Sequence, residues 1–135
     1  MKVSFTGDYK SYKAERQKEL NQKLEDGMKR LGFTIERDAK VGYDAAGITR
    51  QTGRSRSSIS TNWTGSGMTR GKVESPATAN DGVSQPSGKG FEVVVGSNVD
   101  YIGFLEFGTS KRPARPFLFP ALEKNRDKIK ELLKG

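Results

Sequence analysis

The sequence predicts an α+β domain: a long N-terminal helix and a C-terminal helix packed on a small, mainly antiparallel β-sheet, with a long flexible loop. Three observations carry this. Apolar residues recur every three or four positions from Leu20 to Ala46, the period of one helix face. Phe91, Val93 and Val95 fall on alternate positions, the period of a strand. Residues 64–90 are dominated by Gly, Ser, Thr, Asn, Asp and Pro, which offer too little apolar surface to offset ordering entropy. At 135 residues, a single domain spanning 1–135 is expected, with 64–90 as its mobile loop.

Taken in order, residues 1–7 alternate through Val3 and Phe5 and suit a short strand or an arm. A helix is predicted from about Ser11. Its stripe is Leu20, Leu24, Met28, Leu31, Ile35, Ala39, Tyr43 and Ala46, with Lys, Arg, Glu and Gln on the other faces. Gly27 and Gly32 each weaken it by about 1 kcal/mol relative to Ala, so a kink or close packing is expected there. Gly42 and Gly47 lie near its end. From Arg54 to Trp63, Ser57, Ile59, Thr61 and Trp63 alternate, which predicts a half-buried strand. Lys72 to Ser75 adds a short strand at most. The strongest strand is 90–97. Asp100 is the expected N-cap of a short helix over Tyr101–Phe107, which Gly108 ends. The last helix is predicted from Pro120, at its first position, to Lys134. Its stripe takes in Phe117, Leu118, Ala121, Leu122, Ile129, Leu132 and Leu133. The sheet is therefore built from 54–63, 90–97 and either 1–6 or 70–75. Trp63 and the aromatics Tyr101, Phe104, Phe107, Phe117 and Phe119 are expected mostly in the core, since a sheet needs helix cover. Phe104 and Leu122 are placed between the terminal helices and the sheet.

Cysteine and histidine are absent. Disulfides, thiolate or imidazole metal sites and histidine-based nucleophilic or acid–base catalysis are thereby excluded. Gly82 to Gly90 superficially resembles a phosphate loop. It has five residues between its glycines and Gly90 after Lys89, and it precedes a strand instead of following one, so it fails the motif. Gly65, Gly67 and Gly71 miss dinucleotide spacing, and no acidic run has calcium-loop spacing. Glu106 has no obvious carboxylate partner and is expected to bond Arg112 or Arg115 rather than act as an acid. The expectation is a non-enzyme with no cofactor and no metal.

The opening Met-Lys-Val-Ser-Phe has no cleavable apolar region, and no run approaches the roughly 20 apolar residues of a membrane span. A soluble intracellular protein without membrane contact is expected. Net charge is +8 and uneven. Residues 1–60 carry 13 basic and 8 acidic side chains, 61–100 carry 3 and 4, and 101–135 carry 8 and 4. A basic surface concentrates anions and binds nucleic acid non-specifically, or simply keeps a protein soluble.

The most informative stretch is Tyr101-Ile-Gly-Phe-Leu-Glu-Phe-Gly-Thr109, followed by a basic elbow punctuated by prolines, Lys111 to Pro116. Ala114-Arg-Pro-Phe-Leu118 and Pro120-Ala-Leu-Glu123 then lead into the last helix. This pattern resembles the small tail-completion and head–tail joining proteins of long, non-contractile-tailed bacteriophages. Thr52-Gly53-Arg54-Ser55-Arg56-Ser57-Ser58-Ile59 is similar to a second segment of that family, with Ser55 where the family usually has Leu. The resemblance implies a structural morphogenesis protein that completes the tail and joins it to the DNA-filled head. It implies a subunit of a homo-oligomeric ring, whose partners are tail-tube and head-completion or connector proteins. It would sit in the virion at the head–tail junction, and in host cytoplasm during assembly. The assembly interface is expected at Arg54, Arg56, Glu106, Phe107, Gly108, Thr109, Lys111, Arg112 and Arg115. The arginines and Lys111 also read as an ordinary solvated face, or as a secondary contact to DNA. The alternative function is a small basic nucleic-acid-binding protein.

Overall fold

The computed structural model describes residues 1–6, 14–47, 53–88 and 90–134; the predicted helix start at 11–13 lies outside them. Strands β1 (Lys2–Thr6), β2 (Ser60–Trp63) and β3 (Glu92–Gly96) form an antiparallel sheet in the order β1-β3-β2. Val3 and Thr61 both pair with Val95, and Phe5 and Trp63 both pair with Val93. One face of the sheet is therefore apolar, and it is covered by helices. The α+β architecture is as the sequence predicts.

Helix α1 (Ala14–Ala45) crosses that face. Met28, Ile35, Ala39 and Tyr43 of its stripe are fully buried, whereas Leu20 at its outer end is exposed. Gly32 resolves the choice between kink and close packing. A Cβ there would lie 2.6 Å from Val93 Cγ1 and 2.8 Å from Thr61 Cγ2, so the bare backbone is what lets α1 settle onto the strands. Short helices α2 (Arg54–Ser58) and α3 (Ile102–Phe107) flank the sheet, and α4 (Leu118–Lys124) and α5 (Arg126–Lys134) pack against α1.

Four expectations are corrected. Residues 54–58 are helical, and the strand begins only at Ser60. Ser55, Ser57 and Ser58 are all buried here, and each has a fixed partner: Ser55 Oγ on the Tyr101 hydroxyl, Ser57 Oγ on the Ser75 carbonyl and Ser58 Oγ on Ser97 Oγ. Polar anchoring overrides the alternating pattern, which also let Ser57 pose as a strand residue. Residues 70–75 add no strand, only an isolated bridge between Arg70 and Ser84.

The C-terminal helix is broken at Asn125, whose side-chain Nδ2 donates to the Ala121 carbonyl and to Asp38 Oδ2, both at 2.8 Å. Pro120 is the third residue of α4 rather than the first. Asp100 is an exposed turn residue, and Tyr101 holds the N-cap position of α3 without a side-chain cap.

The third correction concerns packing within residues 64–88, which composition argues against but which several of these residues make. Ser60, Asn62, Val94 and Gly96 point to the sheet face away from α1, and this segment covers them. Ser60 Oγ accepts the Val83 amide (2.8 Å), Asn62 Nδ2 donates to the Met68 carbonyl (3.3 Å), and Asp81 and Val83 are buried. Hydrogen bonds replace the missing apolar burial. Lys40 adds a tie from α1, reaching Glu74 Oε1 at 3.2 Å and Glu36 Oε2 at 3.7 Å. Burial pushes the Glu36 carboxyl above its ordinary range, against the pull of Lys40.

The fourth concerns the aromatics. Phe117 is buried, edge-on to Tyr43 with ring centroids 5.3 Å apart. Phe104 and Phe107 are 63% and 65% exposed, and Tyr101 and Phe119 are about 40% exposed. Trp63 is half-buried, edge-on to Phe33 at 5.9 Å with Lys29 Nζ over its ring. Leu122 packs half-buried against the core.

Candidate functional site

Helix α3 is six residues long, so its rotation decides which side chains face out. The apolar count favours Tyr101, Phe104 and Leu105 inward. The observed inner face holds Ile102 and Glu106, one turn apart and both buried, with Leu105 partly buried against the core and Tyr101 and Phe104 exposed. The cause lies eleven residues on. Helix α4 starts at Arg-Pro-Phe-Leu-Phe-Pro, with no Ser, Thr, Asp or Asn to cap it, and Phe117 at its N-cap makes no side-chain cap. Its first backbone donors need a partner. Glu106 supplies it: Oε2 accepts the amides of Phe117 (2.8 Å) and Leu118 (3.1 Å), and Oε1 accepts that of Phe119 (2.9 Å). A carboxylate at a helix N-terminus is favoured by charge as well as geometry. Glu106 is therefore bonded to backbone amides, not to Arg112 or Arg115 as the sequence suggested.

With Glu106 turned in, the aromatics turn out. The elbow that follows is tightly built. Gly108 has φ +76°, and a Cβ there would meet the Ala114 nitrogen at 2.6 Å, so only glycine fits this turn. Thr109 N–H donates to the Arg112 carbonyl (2.9 Å), and Thr109 Oγ1 accepts the amides of Lys111 and Arg112. The Arg115 amide donates to the Leu105 carbonyl (2.8 Å), and its guanidinium to the Gly47 carbonyl (3.1 Å) at the end of α1. Pro113 and Pro116 restrict the chain between these contacts. A groove of about 550 Å³ results, lined by Tyr101, Phe104, Leu105, Thr109, Arg112, Pro113 and Arg115. Phe107 and Phe119, ring centroids 5.7 Å apart, form a second exposed aromatic pair nearby in sequence and structure.

Of the predicted interface residues, Phe107, Gly108, Thr109, Lys111, Arg112 and Arg115 are brought together on this elbow. Arg54 and Arg56 are engaged within the fold. Arg54 holds buried Asp81 through two 2.8 Å hydrogen bonds, and this pairing keeps the Asp81 carboxyl well below the usual range and the guanidinium above its own. Arg56 grips Asp44 near the end of α1 at 3.1 Å. Sequence reasoning missed Asp81, for nothing near it in the chain announces a remote arginine. It also missed the capping role of Glu106, although the uncapped start of α4 was a legible signal.

Among the described residues, no cluster of three metal-ligating side chains occurs and no helix is long and apolar enough to cross a membrane. No protein-family model, curated protein or solved structure matches the chain.

Proposed function

We propose that the chain is a structural subunit of phage assembly, one that completes a long non-contractile tail and joins it to the head as part of a ring. The observation that carries this reading is the elbow. It turns two largely exposed phenylalanines and three cations outward on a scaffold held by backbone hydrogen bonds and a buried glutamate. A contiguous exposed aromatic patch marks a surface that other molecules cover, and a rigid one loses little entropy on docking. The motif that resembles the tail-completion family is the same stretch, so the family's expected junction surface and the exposed surface coincide in sequence. A ring requires a heterologous contact whose rotation closes.

The test is genetic. In a phage encoding this chain, removing it should leave filled heads and detached tails side by side in electron micrographs. Substituting Lys111→Glu together with Arg112→Glu should reproduce the defect, since reversed charge at an interface faces like charge. Normal yields of infectious, full-tailed particles from both would overturn the reading. The net charge of +8 supports a second reading, direct nucleic-acid binding; a DNA affinity that rises with fragment length and falls steeply with salt would favour it.

A further inference from the structure

The groove beside α3 has a charge pattern that specifies more than a generic interface. Its lining combines Tyr101, Phe104 and Leu105 with Arg112 and Arg115, and Lys111 is adjacent in the chain. Among the described residues, no carboxylate lines it. Glu106, the one acid within the elbow, is buried beneath and already accepts three amides. The ion pairs among the described residues occupy Arg37, Lys40, Arg54, Arg56, Lys124 and Arg126, and none engages Lys111, Arg112 or Arg115. The Arg115 guanidinium spends one donor on the Gly47 carbonyl and keeps others for a ligand, because the group has five.

From this juxtaposition we infer that the groove takes an acidic polypeptide segment of another protein, with an apolar side chain seated on Phe104 and Leu105 and flanking carboxylates on Arg112 and Arg115. The inference rests on the assembly reading and names the chemistry of its partner. Guanidinium groups bind carboxylates through paired hydrogen bonds and shed water readily. Aromatic anchors with arginine are the usual centres of binding energy. A second copy of this chain fits this groove less well, because a chain of net charge +8 is a poor source of an acidic segment. Nucleic acid fits less well because its phosphates ask for an extended cationic track. The cations that line this groove are only Arg112 and Arg115.

The experiment uses the full chain and fluorescein-labelled peptides of twelve residues. One alternates Asp and Glu around a central Phe-Leu pair; a second has Gly-Gly at the centre; a third keeps Phe-Leu but carries Asn and Gln. A labelled oligothymidylate of equal length is the fourth probe. Anisotropy titrations should show the first peptide bound most tightly. Arg112→Glu should weaken it by about tenfold or more and Phe104→Ser by about fivefold, with circular dichroism unchanged in both. Equal binding of the first and second peptides would overturn the inference, as would tighter binding of the oligonucleotide. Self-association lost in the same two variants would assign the groove to a second copy and also overturn it. A null peptide result alongside defective head–tail joining in phage would reject the partner chemistry and leave the assembly reading intact. Peptide binding alongside normal joining would do the reverse.

Discussion

The Phe117 amide donates to Glu106 Oε2 at 2.8 Å, so the helix that carries the basic elbow's far end is capped by the helix that carries its near end. Glu106→Gln should cost about 1.5–3 kcal/mol, the worth of a hydrogen bond to a charged group, since one acceptor oxygen becomes an amide facing backbone donors. Glu106→Ala should cost more. Urea denaturation checks both, and wild-type midpoints would contradict the capping role.

Exposure separates two phenylalanines that composition treats alike. Phe117→Ala should cost about 3–5 kcal/mol, as for a large core truncation. Phe104→Ala should change stability by only about 0.5 kcal/mol, like other surface changes. Thermal melts of the pair would distinguish the observed placement from the expectation that Phe104 is core.

Two helix glycines should respond oppositely to alanine. At Gly103 a Cβ would meet nothing within 4 Å, so Gly103→Ala should stabilise by about 0.5–1 kcal/mol. At Gly32 it would press on Val93 and Thr61, and overpacking of about 1–3 kcal/mol outweighs the propensity gain. Chemical denaturation of both variants should give shifts of opposite sign.

The Arg54–Asp81 pair sets an acid limb on stability. Its folded carboxyl lies below the ordinary 3.8, so the stabilisation is present above that value and is lost as pH falls toward the folded pKa. Glu36 acts in the opposite sense. Its raised pKa favours folding below the ordinary 4.5, and that contribution disappears as pH rises through the folded value. Arg54→Ala should lower stability at neutral pH by leaving buried Asp81 Oδ1 without its guanidinium partner, while Oδ2 keeps the Thr78 amide. It should also flatten the acid limb in melts carried from about pH 5 down to about pH 2. A variant as acid-sensitive as wild type would show that Asp81 does not govern it.

Hydrogen exchange tests the polar layer. The amides of Gly71, Val83 and Asn98 donate to the Val83 carbonyl (2.7 Å), Ser60 Oγ (2.8 Å) and the Asp81 carbonyl (2.8 Å). They should exchange well below intrinsic rates. Intrinsic rates at all three would bear out the mobile loop that composition implies for residues 64–90.

What was legible in the sequence was whatever apolar periodicity controls. The stripe from Met28 to Tyr43 and the strand around Val93 to Val95 follow from spacing, while Gly32 signalled only a kink or close packing. Where polar groups decide, spacing misled. Ser55, Ser57 and Ser58 are buried because each finds a distant partner, and nothing local signals Tyr101, Ser75 or Ser97. The rotation of α3 was misread because an apolar count cannot weigh three unsatisfied amides against two phenyl rings. The candidate site was half legible: Phe107 to Arg115 do share a surface, while Arg54 and Arg56 hold the fold together.

The sheet has hydrocarbon on one side and a hydrogen-bonded coil on the other, and this gives its two faces different responses to temperature. Lifting α1 would wet Met28, Ile35, Val93 and Val95, raising heat capacity. Peeling away residues 64–88 would wet mainly hydroxyls, amides and carbonyls, whose hydration lowers it. Cooling therefore weakens the hold of the helical side more than that of the coil side.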